Sequence, residues 1–111
     1  MKAPDPFVQR ILDLATPLGP VRARRMFGGF GIFMDDLMFA LIAGGKLYLK
    51  VDPTSEPEFK AAGSTPFTYR RQDREISMSY WLAPDGALEA MEAFAPWAEA
   101  ALGAARRAKA K

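Results

Sequence analysis

The 111-residue chain has the length of one domain, half of its residues are apolar, and its formal net charge is +2. It contains no cysteine and no histidine, which excludes disulfides, thiolate metal sites and every catalytic arrangement that needs a thiol or an imidazole. The N-terminus lacks the apolar stretch of a signal peptide, and the longest apolar run, Leu37–Ala43, is far too short to cross a bilayer. We therefore expect one cytoplasmic domain over residues 1–111, away from membranes.

The first half of the chain predicts a helix followed by strands. Asp5 and Pro6 are typical of a helix start, and an apolar stripe at helical spacing continues to Leu18. Beyond Pro20 the apolar period changes to two, which indicates β-structure. The strands predicted there are 22–28, 30–34, 37–43 and 46–51. In the last strand Leu47, Leu49 and Val51 alternate with Lys46, Tyr48 and Lys50, as expected where one face of a sheet is buried.

The second half predicts a short helix, a hairpin and a helical end. Ser55 and Glu58 have the spacing of a capping box, which would open a helix that ends near Gly63. Strands 66–71 and 74–82 follow, and a helical region is expected from Pro84 onward, with a restart or kink at Pro96. Residues 103–111 are rich in Lys and Arg and are interpreted as a solvated basic tail.

This order of elements, α-β-β-β-β-α-β-β-α, predicts the fold class. Runs of strands joined by short turns favour an antiparallel sheet, and the amphipathic helices would cover one of its faces. The fold expected is therefore α+β, with two layers. In strand 74–82 the even-numbered positions from Ile76 to Leu82 are apolar. If that side faces the helices, Trp81 lies on the open face of the sheet with Tyr48 and Lys50.

Several ordered blocks carry a resemblance to a known family. They are RRMFGGFG at 24–31, MFALI at 38–42, GKLYLKVD at 45–52, PFTY at 66–69 and MSYW at 78–81. In this order and spacing they resemble the N-terminal domain of the bacterial TfoX (Sxy) competence regulators, over roughly residues 10–102. The resemblance implies a two-layer α+β fold and a link to transcriptional regulation of competence. Regulators of this kind carry a second, helical domain, so we expect a stand-alone domain that acts with a separate partner or outside competence.

The candidate sites favour binding over catalysis. The glycines at 28–31 lack the spacing of a phosphate loop and are expected to permit close approach of strands. The adjacent Asp35 and Asp36 indicate a polar turn, so no metal and no cofactor is expected. Two arginine clusters, at 22–25 and 70–74, leave two interpretations open: solvated edges with structural ion pairs, or a surface for nucleic acid.

We predict a non-catalytic domain that contacts a protein partner, such as part of the transcription machinery, through the open sheet face. The residues predicted for this contact surface are Arg24, Arg25, Tyr48, Lys50 and Trp81. A homodimer, direct nucleic-acid binding through the arginines, and small-ligand binding or an unrecognised enzymatic role remain alternatives.

Overall fold

The computed structural model of the chain describes residues 5–26 and 28–110. Residues 1–4, 27 and 111 lie outside the described residues, and with them parts of the predicted strand 22–28 and of the predicted tail 103–111. Within the described part, the helices and strands follow one another in the predicted order, and the α+β fold class is confirmed. Their bounds are α1 Pro6–Leu14, β1 Arg22–Met26, β2 Gly29–Met34, β3 Leu37–Ala43, β4 Lys46–Lys50, α2 Glu56–Ala61, β5 Pro66–Arg71, β6 Arg74–Leu82 and α3 Met91–Ala110.

The start of α1 follows directly from its first residues. The Asp5 carboxylate accepts hydrogen bonds from the backbone N–H groups of Phe7 and Val8, at 2.8 and 3.3 Å, which satisfies donors that an N-terminus leaves without helical partners. Pro6 occupies the first turn, where its missing N–H costs nothing. The apolar stripe buries Val8, Ile11 and Leu14, and a short 3-10 turn then leads the chain to the sheet.

The six strands form one sheet in the order β1-β2-β3-β4-β6-β5, and every neighbouring pair is antiparallel. Gly44 and Gly45 both have positive φ in the turn between β3 and β4, the conformation that a two-residue hairpin turn of this type requires. The register between β2 and β3 shifts next to Ile32. At this irregularity the consecutive residues Phe39 and Ala40 both belong to the core, as happens where a bulge interrupts the alternation of side chains.

One hydrophobic core lies between the sheet and the helices. Leu47, Leu49 and Val51 are buried in it, so the predicted alternation in this segment is confirmed. Phe59 of α2 meets Trp97 of α3 edge-to-face, with 4.9 Å between the ring centroids, a favoured aromatic geometry. The other members are supplied by α1 (Val8, Ile11, Leu14), by α3 (Phe94, Ala98, Ala101, Leu102, Ala105) and by β2 and β3 (Ile32, Met34, Phe39, Ala40, Ile42).

The loop before α2 is organised by Asp52, and the predicted capping box is wrong. The Asp52 carboxylate accepts hydrogen bonds from the backbone N–H groups of Thr54 and Ser55, each at 3.1 Å. The Ser55 hydroxyl in turn accepts from the Asp52 backbone N–H at 3.1 Å. Because this hydroxyl is hydrogen-bonded within the preceding turn, it does not accept a hydrogen bond from the backbone N–H of Glu58. The start of α2 therefore has no side-chain cap. Asp side chains commonly organise turns in this way.

The C-terminal third differs from its prediction in two respects. The segment from Pro84 forms successive turns, since Gly86 has φ +84, and α3 begins only at Met91. The helix then continues through Pro96 to Ala110, with Ala104 and Ala105 buried. The interpretation of residues 103–111 as a solvated tail is therefore wrong for Ala104 and Ala105, whereas residues 106–110 of the helix are exposed. Among the described helices, none has the combined length and apolar character of a bilayer span.

Candidate interaction surface

The strand pairings show which residues face the helices and which face the opposite, open side of the sheet. Residues directly opposite each other in antiparallel strands share a face. Leu49 pairs with Trp81, and Leu49 is fully buried under the helices, so Trp81 is on the helix side. Its side chain is half-buried against the core. The prediction that Trp81 lies on the open face is wrong, because the apolar side of β6 is the side that faces away from the helices.

The open face forms an apolar depression of about 630 Å³, which we call the sheet groove. A flat six-stranded sheet would hold its edge strands roughly 24 Å apart, yet residues of β1 and of β5, the two edge strands, line the same groove. We infer from this shared lining that the sheet is curled, with the groove on its concave side. The groove is lined by Met26, Gly29, Met38, Leu41, Ile42, Ala43, Phe67, Tyr69, Met78 and Tyr80.

The floor of the sheet groove is buried although none of the described helices lies above it. Leu41 and Tyr80 are 6% and 8% exposed, but neither belongs to the core beneath the helices. The Tyr80 hydroxyl donates a hydrogen bond to the backbone carbonyl of Met38, at 3.1 Å. Burial raises the pKa of the Tyr80 hydroxyl, so this group remains a neutral donor. The bond spans from β6 to β3 and fixes the aromatic ring across the floor.

The walls of the groove near β5 are aromatic. The rings of Tyr48 and Phe67 meet edge-to-face at 4.9 Å, and Phe67 stacks on Tyr69 at 6.5 Å. Tyr69 is 39% exposed, an unusual fraction for so large an apolar side chain in this protein. The register of β5 against β6 shifts around Phe67, and this irregularity turns the Phe67 ring toward Tyr48. One aromatic wall results, with its outer ring in contact with solvent.

Glycine at two positions of β2 makes the other wall. A Cβ at Gly29 would stand 2.0 Å from the Ile42 carbonyl oxygen, and a Cβ at Gly31 would stand 2.9 Å from the Met38 sulfur. Both distances are shorter than the contacts that Cβ atoms make in proteins. The glycines therefore let β3 and the methionine side chains approach β2 closely, as the sequence predicted for this segment.

The charged side chains on the open face all have the same sign. Among the described strand residues that share a face with the groove residues, the charged ones are basic; we call them the basic rim, and they are Arg22, Arg24, Lys46, Lys50, Arg71 and Arg74. Arg71 and Arg74 stand directly opposite each other next to the β5–β6 turn. Like charges in such a pair destabilise an isolated hairpin.

The predicted contact residues divide between the two faces. Arg24, Tyr48 and Lys50 are on the open face as predicted, and Lys50 lies over the Tyr80 ring at 5.1 Å while donating to the Ser79 hydroxyl at 2.7 Å. Arg25 lies on the helix side, where its guanidinium covers the Phe30 ring at 5.3 Å. Arg25 and Trp81 are therefore not part of the open face.

Sequence reasoning missed the methionines that line the groove. Met26, Met38 and Met78 come from different strands, and only the curl of the sheet brings them together. The signal that the sequence did offer is Leu37–Ala43, which is apolar at every position and so predicts burial on both faces of β3. In the described part of the chain, no three His, Cys, Asp or Glu side chains come close enough to hold a metal ion.

The fold and this surface define a small α+β domain with a basic-rimmed apolar groove on the helix-free side of its sheet. The chain belongs to the TfoX N-terminal domain family, whose model matches residues 13–105. It is 29% identical over 73 residues, 66% of its length, to the DNA transformation protein TfoX1 of Aliivibrio fischeri. It is 31% identical over 68 residues, 61% of its length, to Protein Sxy of Escherichia coli K12. The matched segments span only 35% and 32% of these relatives.

Proposed function

We propose that this protein is a non-catalytic regulatory domain that acts in the cytoplasm by binding another protein through the open face of its sheet. Membership of the TfoX N-terminal domain family, together with a relative named as a DNA transformation protein, supports a role in the control of DNA uptake. The observation that carries the proposal is the sheet groove, an apolar surface that none of the described helices covers.

The groove has the character of a protein contact site. Its lining is mostly Met, Leu and aromatic side chains, the residue types that are enriched in the centres of protein interfaces. Contiguous apolar surface of this kind is uncommon on proteins that act alone, and it generally marks a site of association. The basic rim around it supplies the polar border that such interfaces have.

A pair of neighbouring residues in β6 allows a clean test in the native cell. Met78 lines the groove, whereas Ser77 is exposed on the opposite face of the same strand. We expect Met78→Glu to reproduce the effect of gene deletion on transcript levels and on the frequency of DNA uptake. The matched variant Ser77→Glu introduces the same charge and should behave as the wild type. If Met78→Glu is expressed and folded but regulates normally, the open face is not the working surface.

Direct binding of nucleic acid is a second candidate, favoured by the basic rim alone. Arginine binds phosphate well, and such binding weakens steeply as salt increases. A mobility-shift assay with double-stranded DNA at low ionic strength tests this candidate. Binding that disappears in Arg24→Glu and Arg71→Glu, but persists in Met78→Glu, would favour nucleic acid over protein.

A further inference from the structure

We propose that the sheet groove binds an amphipathic helix of a partner protein, and that the polar side of this helix is acidic. This inference rests on the proposed function, because it specifies the partner of the same surface. Three properties of the groove lead to it: the flexibility of its apolar lining, the single sign of its charges, and a lining made of side chains on a face of the sheet rather than of backbone groups along a free edge.

The apolar lining favours a helix with bulky apolar residues on one side. Met26, Met38 and Met78 contribute unbranched side chains from different strands to the groove. Methionine adapts its shape to a bound surface, and methionine-rich grooves recognise amphipathic helices of varied sequence. The more rigid Tyr80, held by its bond to the Met38 carbonyl, provides a fixed floor beneath these adaptable side chains.

The charges exclude a second copy of this chain as the preferred occupant. A symmetric dimer through the open face would bring the basic rims of both copies into one interface. Like charges facing each other across an interface oppose association, and complementary charges favour it. The directly opposed Arg71 and Arg74 already repel each other within one chain. A carboxylate placed between them would relieve that repulsion, so the partner that fits is acidic.

The location of the groove favours a helix over an added strand. A strand binds along a sheet edge, where backbone N–H and C=O groups are unpaired. The groove instead lies over a face of the sheet, where the side chains of Leu41 and Tyr80 cover the backbone of the inner strands β3 and β6. An occupant there binds by inserting its own side chains. A helix presents such side chains along one stripe, with its acidic residues free to reach Arg24 at one edge strand and Arg71 at the other.

The aromatic residues are poorly arranged for single-stranded nucleic acid. Base stacking on a sheet requires aromatic rings with a free face. Here Tyr80 is buried and the half-buried Phe67 contacts both Tyr48 and Tyr69, which leaves Tyr69 as the most exposed of these four rings. One exposed ring provides little stacking, whereas the methionine and leucine surface suits apolar side chains of a protein.

The test uses a synthetic helical peptide of about 18 residues, with Leu and Phe at i, i+3, i+4 and i+7 spacing and Glu elsewhere. A second peptide replaces every Glu with Lys. Binding to the full 111-residue chain is measured by fluorescence anisotropy. We expect the acidic peptide to bind and the basic one not to bind. Arg24→Glu and Arg71→Glu should each weaken binding of the acidic peptide about fivefold, since reversal replaces attraction by repulsion at a solvated rim.

Neighbouring residues on the helix side provide matched controls. Arg25→Glu and Arg70→Glu make the same charge change at exposed positions on the other face of the same strands. We expect them to change peptide affinity less than twofold, while Met78→Glu abolishes binding. In the double variant Arg24→Glu, Arg71→Glu, the Lys peptide should bind better than the Glu peptide. Circular dichroism of each variant checks that the fold is retained.

Four results would overturn the inference. The first is failure of the acidic peptide to bind the wild-type chain. The second is a loss of peptide affinity in Arg25→Glu and Arg70→Glu as large as that in Arg24→Glu and Arg71→Glu. A single-stranded oligonucleotide that displaces the peptide and binds more tightly would identify nucleic acid as the occupant. Dimerisation that Met78→Glu abolishes would identify a second copy. If peptide binding fails while Met78→Glu still abolishes regulation in cells, the protein-contact function stands and only the acidic helix is refuted.

Discussion

Replacement of Trp81 by alanine tests on which face of the sheet this side chain lies. Trp81 is opposite the fully buried Leu49 and packs against the core. A fully buried tryptophan loses about 3–5 kcal/mol of folding free energy when truncated to alanine. Because this side chain is only half-buried, we expect a loss of about 2–3 kcal/mol. In a domain of this size that loss lowers Tm by roughly 10 °C.

The assay is urea unfolding followed by far-ultraviolet circular dichroism, with a thermal scan as a second measure. Ser77→Ala serves as the control, since Ser77 lies on the same face of β6 but is exposed, and its unfolding free energy should change by less than about 0.5 kcal/mol. The groove is on the other side, so the acidic peptide should still bind the folded Trp81→Ala variant with nearly unchanged affinity. A stability loss below about 1 kcal/mol, combined with loss of peptide binding, would show that the helix-side placement of Trp81 is wrong.

Three further outcomes follow from individual contacts. The guanidinium of Arg107 is the main cause that lowers the pKa of the Asp52 carboxyl from 3.8 to about 2, so this ion pair stabilises the fold above pH 4 and its contribution disappears as pH falls toward 2. Asp52→Asn should lower the free energy of unfolding by about 1 kcal/mol at pH 7, a modest loss because solvent weakens this partly exposed pair. At pH 2 the loss should be smaller, because the carboxyl is then partly protonated. Urea unfolding at both pH values measures this, and an equal loss at both would contradict the charge effect. Gly29→Ala should cost more than about 3 kcal/mol, because the new methyl group collides with the Ile42 carbonyl, and a soluble variant with wild-type Tm would contradict it. Tyr80→Phe removes the hydrogen bond across the groove floor and should cost about 1 kcal/mol in urea unfolding; no loss would mean that water satisfies the freed carbonyl.

Most of the strands could be predicted because their turns and alternation agree. The turn at Gly44 and Gly45, the alternation through β4 and the helix start at Asp5 each depend on neighbouring residues in the chain. The capping box failed for a reason that is also local. Asp52 competes for the Ser55 hydroxyl, and a match to the spacing of Ser55 and Glu58 takes no account of that competitor.

The orientation of β6 could not be obtained from its own sequence. Alternation shows that Met78 and Tyr80 share a face, but a rule that places the more apolar face under the helices selects the wrong side here. The deciding observation is the pairing of Leu49 with Trp81, a contact between residues that are distant in the chain. Of the residues predicted for the contact surface, Tyr48, Lys50 and Arg24 therefore lie on the open face of the sheet. Trp81 lies on the side of the core.

The groove exists because the sheet has more apolar surface than the helices can cover. β3 is apolar on both faces, and the helices bury only one of them. Curling of the sheet brings the apolar side of β6 over the other face, which is enough to bury Leu41 and Tyr80 but leaves Tyr69 in contact with solvent. Both edge strands carry arginines of the basic rim, and like charges that face each other disfavour the pairing of two strands. On the proposal made above, the same charges favour an acidic occupant of the groove.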